Sequence, residues 1–411
     1  MNRKHITAWA LYDFANSVYP AVITTAVFNV YYANTIVGND KGLGDLWWTR
    51  VIWISVIFVA FSSPILGSVA DSAGVRKKML FFYTWLCIIP VALFATLEPG
   101  MILLGFFLAV LANIGFEGAL VYYNAYLPDI APPKKQGFVS GLGFGVGYAG
   151  SIAGLLIALP FVIRGQYDIT WLSVAAFFAI MSIPTFIFLP KDHPGKQTVL
   201  HSAINGITGF KRIFMEVFRE RELRRFLIAF FFYIDGVLTV IVTAGLFAEK
   251  TLGFERQELI YLFLVTQVSA LLGALALAKP TDRWGPKRVI TLTLILWTAI
   301  VISAFFIHSK TMFFIIAVMA GVGLGAVQAA SRSLMASLIP KGKEAEMFGF
   351  YAFCGKSSSV LGPLIFGMIS FALGGNQRIA ILAIGVFFLI GLILLQRVRD
   401  PRILLTADQN V

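Results

Sequence analysis

Residues 46–78 read L-W-W-T-R-V-I-W-I-S-V-I-F-V-A-F-S-S-P-I-L-G-S-V-A-D-S-A-G-V-R-K-K. The first two thirds are aromatic and branched aliphatic, long enough as a helix at ~1.5 Å per residue to cross a hydrocarbon core of ~30 Å. The stretch ends in a short polar loop, D-S-A-G-V-R-K (71–77). The same pattern returns at 282–288 as D-R-W-G-P-K-R. Asp71, Gly74, Arg76 and Lys77 map onto Asp282, Gly285, Lys287 and Arg288 at a constant offset of 211. A loop that recurs at one offset marks an internal duplication.

Working outward, twelve apolar runs are long enough to span a membrane: 7–36, 46–69, 79–97, 101–127, 137–163, 170–190, 226–248, 258–278, 289–308, 311–338, 347–373 and 379–396. Both copies of the loop fall between the second and third run of a set of six. The longest break, 191–225, separates the sets. The expected fold is therefore an all-α membrane protein with twelve transmembrane helices in two pseudo-symmetric six-helix bundles. Residues 1–190 would form the first bundle, 191–225 a cytoplasmic linker and 226–411 the second. Duplicated six-span halves are a transporter architecture.

Composition agrees. Hydrophobic residues make up 58% and charged residues 13% of 411, with a mean hydropathy of +0.82. So few charges do not cover that much apolar surface in water. A disordered chain and a secreted disulfide scaffold are excluded. The N-terminus, with Arg3 and Lys4 before an apolar run, imitates a signal peptide, but the run is too long and no small-residue cleavage site follows.

The net charge of +12 invites a nucleic-acid reading, and the distribution of the basic residues answers it. With the N-terminus placed in the cytoplasm, 24 of the 33 Lys and Arg fall on the cytoplasmic side, 7 on the other, and Arg332 and Lys356 lie within spans. The positive-inside rule accounts for such a bias, puts both termini in the cytoplasm and leaves no need for a nucleic-acid partner. Within the linker, Leu200, Ala203, Ile204, Ile207, Phe210, Phe214 and Val217 recur at helical spacing, flanked by Lys211, Arg212, Arg219 and Arg221. The pattern predicts an amphipathic helix on the membrane surface, chiefly a tether between the halves.

No site for other chemistry stands out. Cys87 and Cys354 sit in apolar runs and read as plain hydrophobes, and His5, His193, His201 and His308 are scattered. No metal site, cofactor or catalytic residue is expected. The glycines of the fifth run (Gly141, Gly143, Gly145, Gly147, Gly150, Gly154) lack the preceding strand a nucleotide cradle needs and read as a close helix-packing face. Gly362-Pro363 predicts a kink in the eleventh run.

The loop G-S-V-A-D-S-A-G-V-R-K-K (67–78) resembles the signature loop of the major facilitator superfamily. W-A-L-Y-D-F-A-N-S (9–17), Y-N-A-Y-L-P-D-I-A (123–131), Y-I-D-G (233–236), Q-A-A-S-R-S-L (328–334) and G-K-E-A-E-M-F-G-F-Y (342–351) resemble one branch of it, the vacuolar amino-acid effluxer-like (autophagy-related) permeases. The resemblance covers nearly the whole chain. It departs at Ala278, where the first copy has Gly67. It implies a gating role for Gly67, Asp71, Gly74 and Arg76, with Asp129 as a charge partner of Arg76, and for Asp282, Gly285 and Lys287 in the second copy. Gly74 permits a tight turn, and Asp71 is an anion placed near helix ends. The alternative for both loops is a turn with topology anchors.

Polar residues sort the spans independently. Spans 3, 6, 9 and 12 carry no charge in their interiors, whereas spans 1, 4, 7 and 10 carry Asp13, Glu117, Asp235 and Arg332. An intramembrane charge must face a bundle interior or water, so the second group should line a cavity and the first should face lipid. Asn113, Glu117 and Asn124 share one helix face, Asp13 and Asn16 another, and Gln328 and Arg332 lie one turn apart. Lys356 is placed to neutralise Asp235 or to meet a substrate carboxylate. Glu117 lies ten residues from the end of its span, near mid-membrane. Gln328 stands at the offset position, so only the first half keeps a titratable group there.

A secondary transporter follows: a permease moving a small organic solute by alternating access, coupled to protons through Glu117, Asp13 and Asp235. The branch implies amino-acid efflux. The chain is expected to act as a monomer in a bilayer, in a bacterial cytoplasmic membrane. A non-transporting receptor or scaffold, or a lipid scramblase on the same fold, is the alternative. An intramembrane enzyme finds no Ser/His or metal-ligand constellation.

Overall fold

The computed structural model describes residues 1–192, 194–195, 197–208 and 210–400. The described residues are helical without strands, and eleven helices among them are long and apolar enough to cross a membrane. In chain order these are span 2 (Leu43–Ala73), span 3 (Arg76–Leu93), span 4 (Ile102–Ala125), span 5 (Gln136–Ile163), span 6 (Tyr167–Phe188) and span 7 (Arg221–Leu252). Span 8 (Arg256–Trp284), span 9 (Pro286–Phe306), span 10 (Lys310–Leu338), span 11 (Glu344–Ser358 and Leu361–Ala372) and span 12 (Gln377–Gln396) follow.

Span 1 is the twelfth and is not one regular helix. An α-helix at Arg3–Asn16 gives way to wider π-helical turns at Tyr19–Ala26, one α turn at Phe28–Tyr31 and further π turns at Tyr32–Val37. Pro20 lies at the first changeover, where its missing N–H leaves an acceptor without its helical donor. Wide turns of this kind are rare and gather at functional sites.

The helices outrun the apolar runs by several residues. Asp71 lies in the last turn of span 2, and the connection to span 3 shrinks to Gly74 and Val75. Hydropathy marks where hydrocarbon ends; a helix continues past that point into the polar interface. Gly74, at φ 63°, ends span 2 in the left-handed region that glycine enters without strain.

Contacts sort the chain into two compact units. One comprises Met1–Ile130, Val146–Ile213 and Lys341–Ala352; the other comprises Ala131–Gly145, Phe214–Pro340 and Phe353–Val411. Spans 5 and 11 are therefore shared along their length, and the start of each packs with the unit built mostly by the other six spans. Within the first unit span 4 packs on spans 2 and 3, and span 6 on spans 1 and 3. Within the second, span 10 packs on spans 8 and 9, and span 12 on spans 7 and 9. Adding six to each number converts one set into the other, so the duplication read from two loops extends to the packing.

Burial separates the spans as the charges do. In the most apolar 18-residue stretch of each helix, buried residues make up 61, 67 and 61% in spans 4, 7 and 10, against 39–44% in spans 3, 6, 9 and 12 and 17–39% in spans 2, 5, 8 and 11, so spans 4, 7 and 10 are the most buried of the eleven. Between the sixth and seventh spans lie two helices, Val199–Thr208 and Phe210–Arg219. Val217 of the expected apolar stripe is buried and Ile204 is exposed; the side chains of Leu200, Ile207, Phe210, Lys211 and Arg212 lie outside the described residues.

Candidate functional site

In the first unit, the polar residues of spans 1 and 4 lie in an aromatic setting. Asn113 is buried and donates from Nδ2 to the Ser55 hydroxyl at 2.6 Å, while its Oδ1 lies 3.5 Å from the Tyr19 hydroxyl. Tyr19 stacks on Phe116, beside Glu117. Asp13 and Asn16 are buried, and the Asp13 carbonyl accepts the Ser17 hydroxyl at 2.6 Å. The Nδ2 of Asn16 is buried with no hydrogen-bond acceptor among the described residues. Glu117 and Asn124 are half-buried on the same span.

The aromatic residues near these groups are packed rather than open. Tyr12 and Trp9 both stack on Tyr123, the Trp9 indole donates to the Tyr123 carbonyl at 2.9 Å, and Tyr12 shares a 2.6 Å bond with Thr84. The approach of span 3 to span 4 depends on glycines that hydropathy does not single out. A Cβ at Gly115 would lie 2.4 Å from the Cys87 nitrogen, and one at Gly118 would lie 2.3 Å from the Tyr83 ring.

In the second unit, Asp235 of span 7 is fully buried. Its Oδ1 accepts the Gly362 N–H at 3.0 Å and lies 3.4 Å from the Thr239 hydroxyl, and its Oδ2 has no donor among the described residues. The carboxyl thus caps the second segment of span 11, which restarts at Leu361 just ahead of Pro363. A Cβ on Gly362 would lie 1.9 Å from the Thr239 hydroxyl, so a larger residue there would displace the Thr239 side chain. The sequence pattern reads Gly362-Pro363 as a kink; the structure makes it the partner of Asp235, and Lys356 is not among the partners of that carboxyl. Lys356 and Gln328 are half-buried in their helices. Tyr233 bonds Ser331 at 2.7 Å. Arg332 is buried and held by Ser140, to its hydroxyl at 3.0 Å and its carbonyl at 2.8 Å, with its guanidinium 4.0 Å from the centre of the Phe144 ring. Ser140 and Phe144 belong to span 5 and carry no sequence signal of that role.

The two loop copies perform the same act. Asp71 accepts the Ala345 N–H at 3.2 Å and the Glu346 N–H at 2.9 Å; both lie in the first turn of span 11. Asp282 accepts the Gly137 N–H at 2.8 Å and the Phe138 N–H at 3.1 Å, in the first turn of span 5. Each carboxylate straddles two otherwise unpaired amides at a positive helix end. Gly67 admits the first of these contacts, because a Cβ there would lie 2.3 Å from the Ala345 carbonyl. Ala278 at the matching position looks like a lapse in the motif. The glycine has changed sides: Gly141 of span 5 faces Ala278, and a Cβ on it would lie 2.5 Å from the alanine methyl.

The copies differ in their cations. Arg76 pairs with Asp129 at 2.9 Å, lies 3.6 Å from Glu344 and 3.8 Å from Asp71, and donates to the Ala125 carbonyl at 3.3 Å. Lys287 instead donates to the carbonyls of Gln396 and Val398 at the end of span 12. Position 340, the counterpart of Asp129, is proline. Lys77 matches Lys287 in deed, donating to the Leu189 carbonyl just past span 6. Gly285, at φ 87°, makes the turn into span 9. Glu344 is the member of this network that sequence reasoning passed over; its signal is an acidic residue in the first turn of a helix.

Twelve helical spans, a duplicated loop and a duplicated packing scheme define a membrane transporter of the major facilitator type. The chain belongs to the family described as "Vacuole effluxer Atg22 like", which matches residues 50–137 and 133–404. It is 32% identical over 410 residues to the MFS-type transporter YxiO of Bacillus subtilis, covering 95% of this chain and 94% of that one. It is 26% identical to Autophagy-related protein 22 of Yarrowia lipolytica, over 77% of this chain and 69% of that protein. Among solved structures, the human organic anion transporter MFSD10 aligns with a TM-score of 0.78 at 15% identity, over 96% of this chain and 99% of that one. FucP, in an outward conformation, aligns at 0.71 and 15%, over 96% and 98%. The protein is a multi-pass membrane transporter rather than an enzyme.

Proposed function

We propose that this chain is a secondary active transporter that moves a small organic solute by alternating access and couples the movement to protons, with amino-acid efflux the first cargo to test. The observation that carries the reading is that two of the buried side-chain polar atoms with no hydrogen-bond partner among the described residues, Asn16 Nδ2 and Asp235 Oδ2, belong to the polar residues of spans 1 and 7. A buried polar atom without a partner costs free energy, and in a membrane helix such a residue is retained for an ion or substrate path. Asp13, Asn16, Asn113, Glu117 and Asn124 are the proposed path residues of the first unit, and Asp235, Gln328, Arg332 and Lys356 those of the second. Arg332, fixed by Ser140, is a positioned cation for a carboxylate cargo. Glu117 is the proposed proton carrier, with Asp13 and Asp235 as its alternates.

The Asp71 and Asp282 caps are the gates in this reading. Each holds the start of a helix from the other half of the chain, and release of both frees spans 5 and 11 to move. The protein works as a monomer in a bacterial cytoplasmic membrane with both termini in the cytoplasm. Counterflow of a pooled metabolite panel in proteoliposomes tests the proposal. Cargo exchange above empty liposomes, slowed in Asp71→Asn, is the expected result. No exchange of any solute by well-folded protein would favour a receptor or scaffold, and lipid flipping without solute exchange a scramblase.

A further inference from the structure

Each unit also carries a cavity that the transport path does not use. In the first unit, a cavity of about 450 Å³ lies between the first turn of span 3 and the residues just after span 6, lined by Lys77, Lys78, Phe81, Phe186, Lys191 and Asp192. In the second, one of about 600 Å³ lies between the first turn of span 9 and the residues just after span 12, lined by Trp284, Lys287, Arg288, Leu292 and Asp400 among others. Lys77 and Phe81 become Arg288 and Leu292 at the 211 offset, so the two cavities lie at equivalent places in the two halves, with their unspent cations at different positions. Both lie at the loop ends that collect most of the basic residues.

The polar groups divide into spent and unspent. Asp192 is spent, accepting the Lys77 N–H at 2.8 Å on one oxygen and the Tyr126 hydroxyl at 2.8 Å on the other. Lys77 and Lys287 are spent on the ends of spans 6 and 12. The Asp400 carboxyl lies against Gly285, within 2.5 Å of where a Cβ would stand. The side chains of Lys78, Lys191 and Arg288 are exposed and make no hydrogen bond or ion pair among the described residues. Below these cations the outer surface is apolar: Phe81, Ile187 and Phe188 in one unit, Leu292, Ile295 and Ile393 in the other, are all exposed on lipid-facing spans. Trp284, also exposed, is the kind of side chain that settles at headgroup level.

We propose that these cavities bind the phosphate headgroups of anionic membrane phospholipids, two per chain, with the acyl chains running down the apolar faces of spans 3 and 6 and of spans 9 and 12. Unspent cations above an apolar wall match the two ends of such a lipid, and basic pockets between spans on the basic side of a membrane select anionic headgroups. A soluble phosphate gains nothing from the wall, and a zwitterionic lipid brings a cation that Lys78 and Lys191 repel. The first cavity is the tighter, since it holds two unspent cations and the second holds one. It also adjoins the gate, because the Tyr126 that bonds Asp192 lies with its ring 5.5 Å from the Arg76 guanidinium.

Native mass spectrometry of the intact purified protein, titrated with phosphatidylglycerol or with phosphatidylcholine of the same acyl chains, tests this. Two phosphatidylglycerol molecules should be retained in preference to phosphatidylcholine. Lys78→Gln with Lys191→Gln should weaken the tighter site about thirty-fold and Arg288→Gln the other about five-fold, at roughly 1 kcal/mol per basic residue. The wild type provides a second measure, because raising salt tenfold should loosen both lipids. Equal retention of the two lipids, retention that survives all three substitutions, or insensitivity to salt would overturn the assignment. Displacement by glycerol phosphate at equal concentration would overturn it in favour of a soluble anion.

Discussion

Asp71 concentrates the residue-scale logic. Two backbone amides and one arginine converge on it, and it sits where a helix end needs an anion. Replacing it by Asn keeps the shape and removes the charge, at a cost on the order of 1 kcal/mol for a helix-end anion, enough to shift a balanced two-state equilibrium several-fold. Asp71→Asn should reach the membrane at normal levels and exchange cargo more slowly; unchanged exchange would reduce the residue to a topology anchor. Gly67→Val attacks the same contact by volume and should impair transport more severely, because the added carbons meet the Ala345 carbonyl. Asp235→Asn is a contrasting case. The amide oxygen still accepts from Gly362, so span 11 keeps its cap, while the unpartnered carboxylate oxygen is lost. Normal thermal stability is expected in that variant, with gradient-driven uptake retained if Glu117 carries the proton and reduced if Asp235 does, and a large stability loss would mark Asp235 as structural only.

Most of this chemistry was legible one residue at a time, because a charge inside an apolar run is conspicuous. Asp13, Glu117, Asp235 and Arg332 announce themselves, and so do the two loop aspartates. What could not be read were partners from distant sequence. Nothing near Arg332 points to Ser140, nothing near Asp235 points to Gly362, and the glycine missing at 278 reappears at 141 on another helix. Contacts of that kind are set by which helices meet, and a single sequence does not encode the meeting locally.

At the scale of elements, the expected helices and the observed ones share their centres and differ at their ends. Charged residues extend most spans beyond the apolar run, which shortens the connections to a few residues. Span 1 departs most, since its length and apolarity predict one helix and its turns widen after Asn16. The positions best suited to probe topology follow from backbone geometry. Gly38, Gly100, Gly165, Gly342 and Gly375 all have positive φ, where any other residue is strained, and a side chain at Gly195 would strike the Ala73 backbone. Single cysteines at Glu98, Gln166 and Asn376, which are exposed, should label from outside. Cysteines at Gln197 and Lys341, also exposed, should label only after the membrane is opened. Outside labelling at Gln197 would contradict the charge-derived orientation and the linker assignment with it.

Over the whole molecule the duplication is the organising fact. It appears as a loop repeated at one offset, as a packing scheme repeated six spans later, and as two carboxylates that each cap the start of a helix from the other half. The copies are not equivalent: Arg76 has its ring of acids while Lys287 has carbonyls, and Glu117 has Gln328 at its matched position. An asymmetric pair of halves suits a machine in which one half handles the proton and the other positions the cargo. The most direct measurement is accumulation of the identified cargo in proteoliposomes under an imposed pH gradient, wild type beside Glu117→Gln. Accumulation by the wild type that collapses with the gradient, and that Glu117→Gln loses while it still exchanges cargo, is the predicted result. Accumulation indifferent to the gradient would contradict proton coupling, and accumulation retained in Glu117→Gln would remove Glu117 as its carrier.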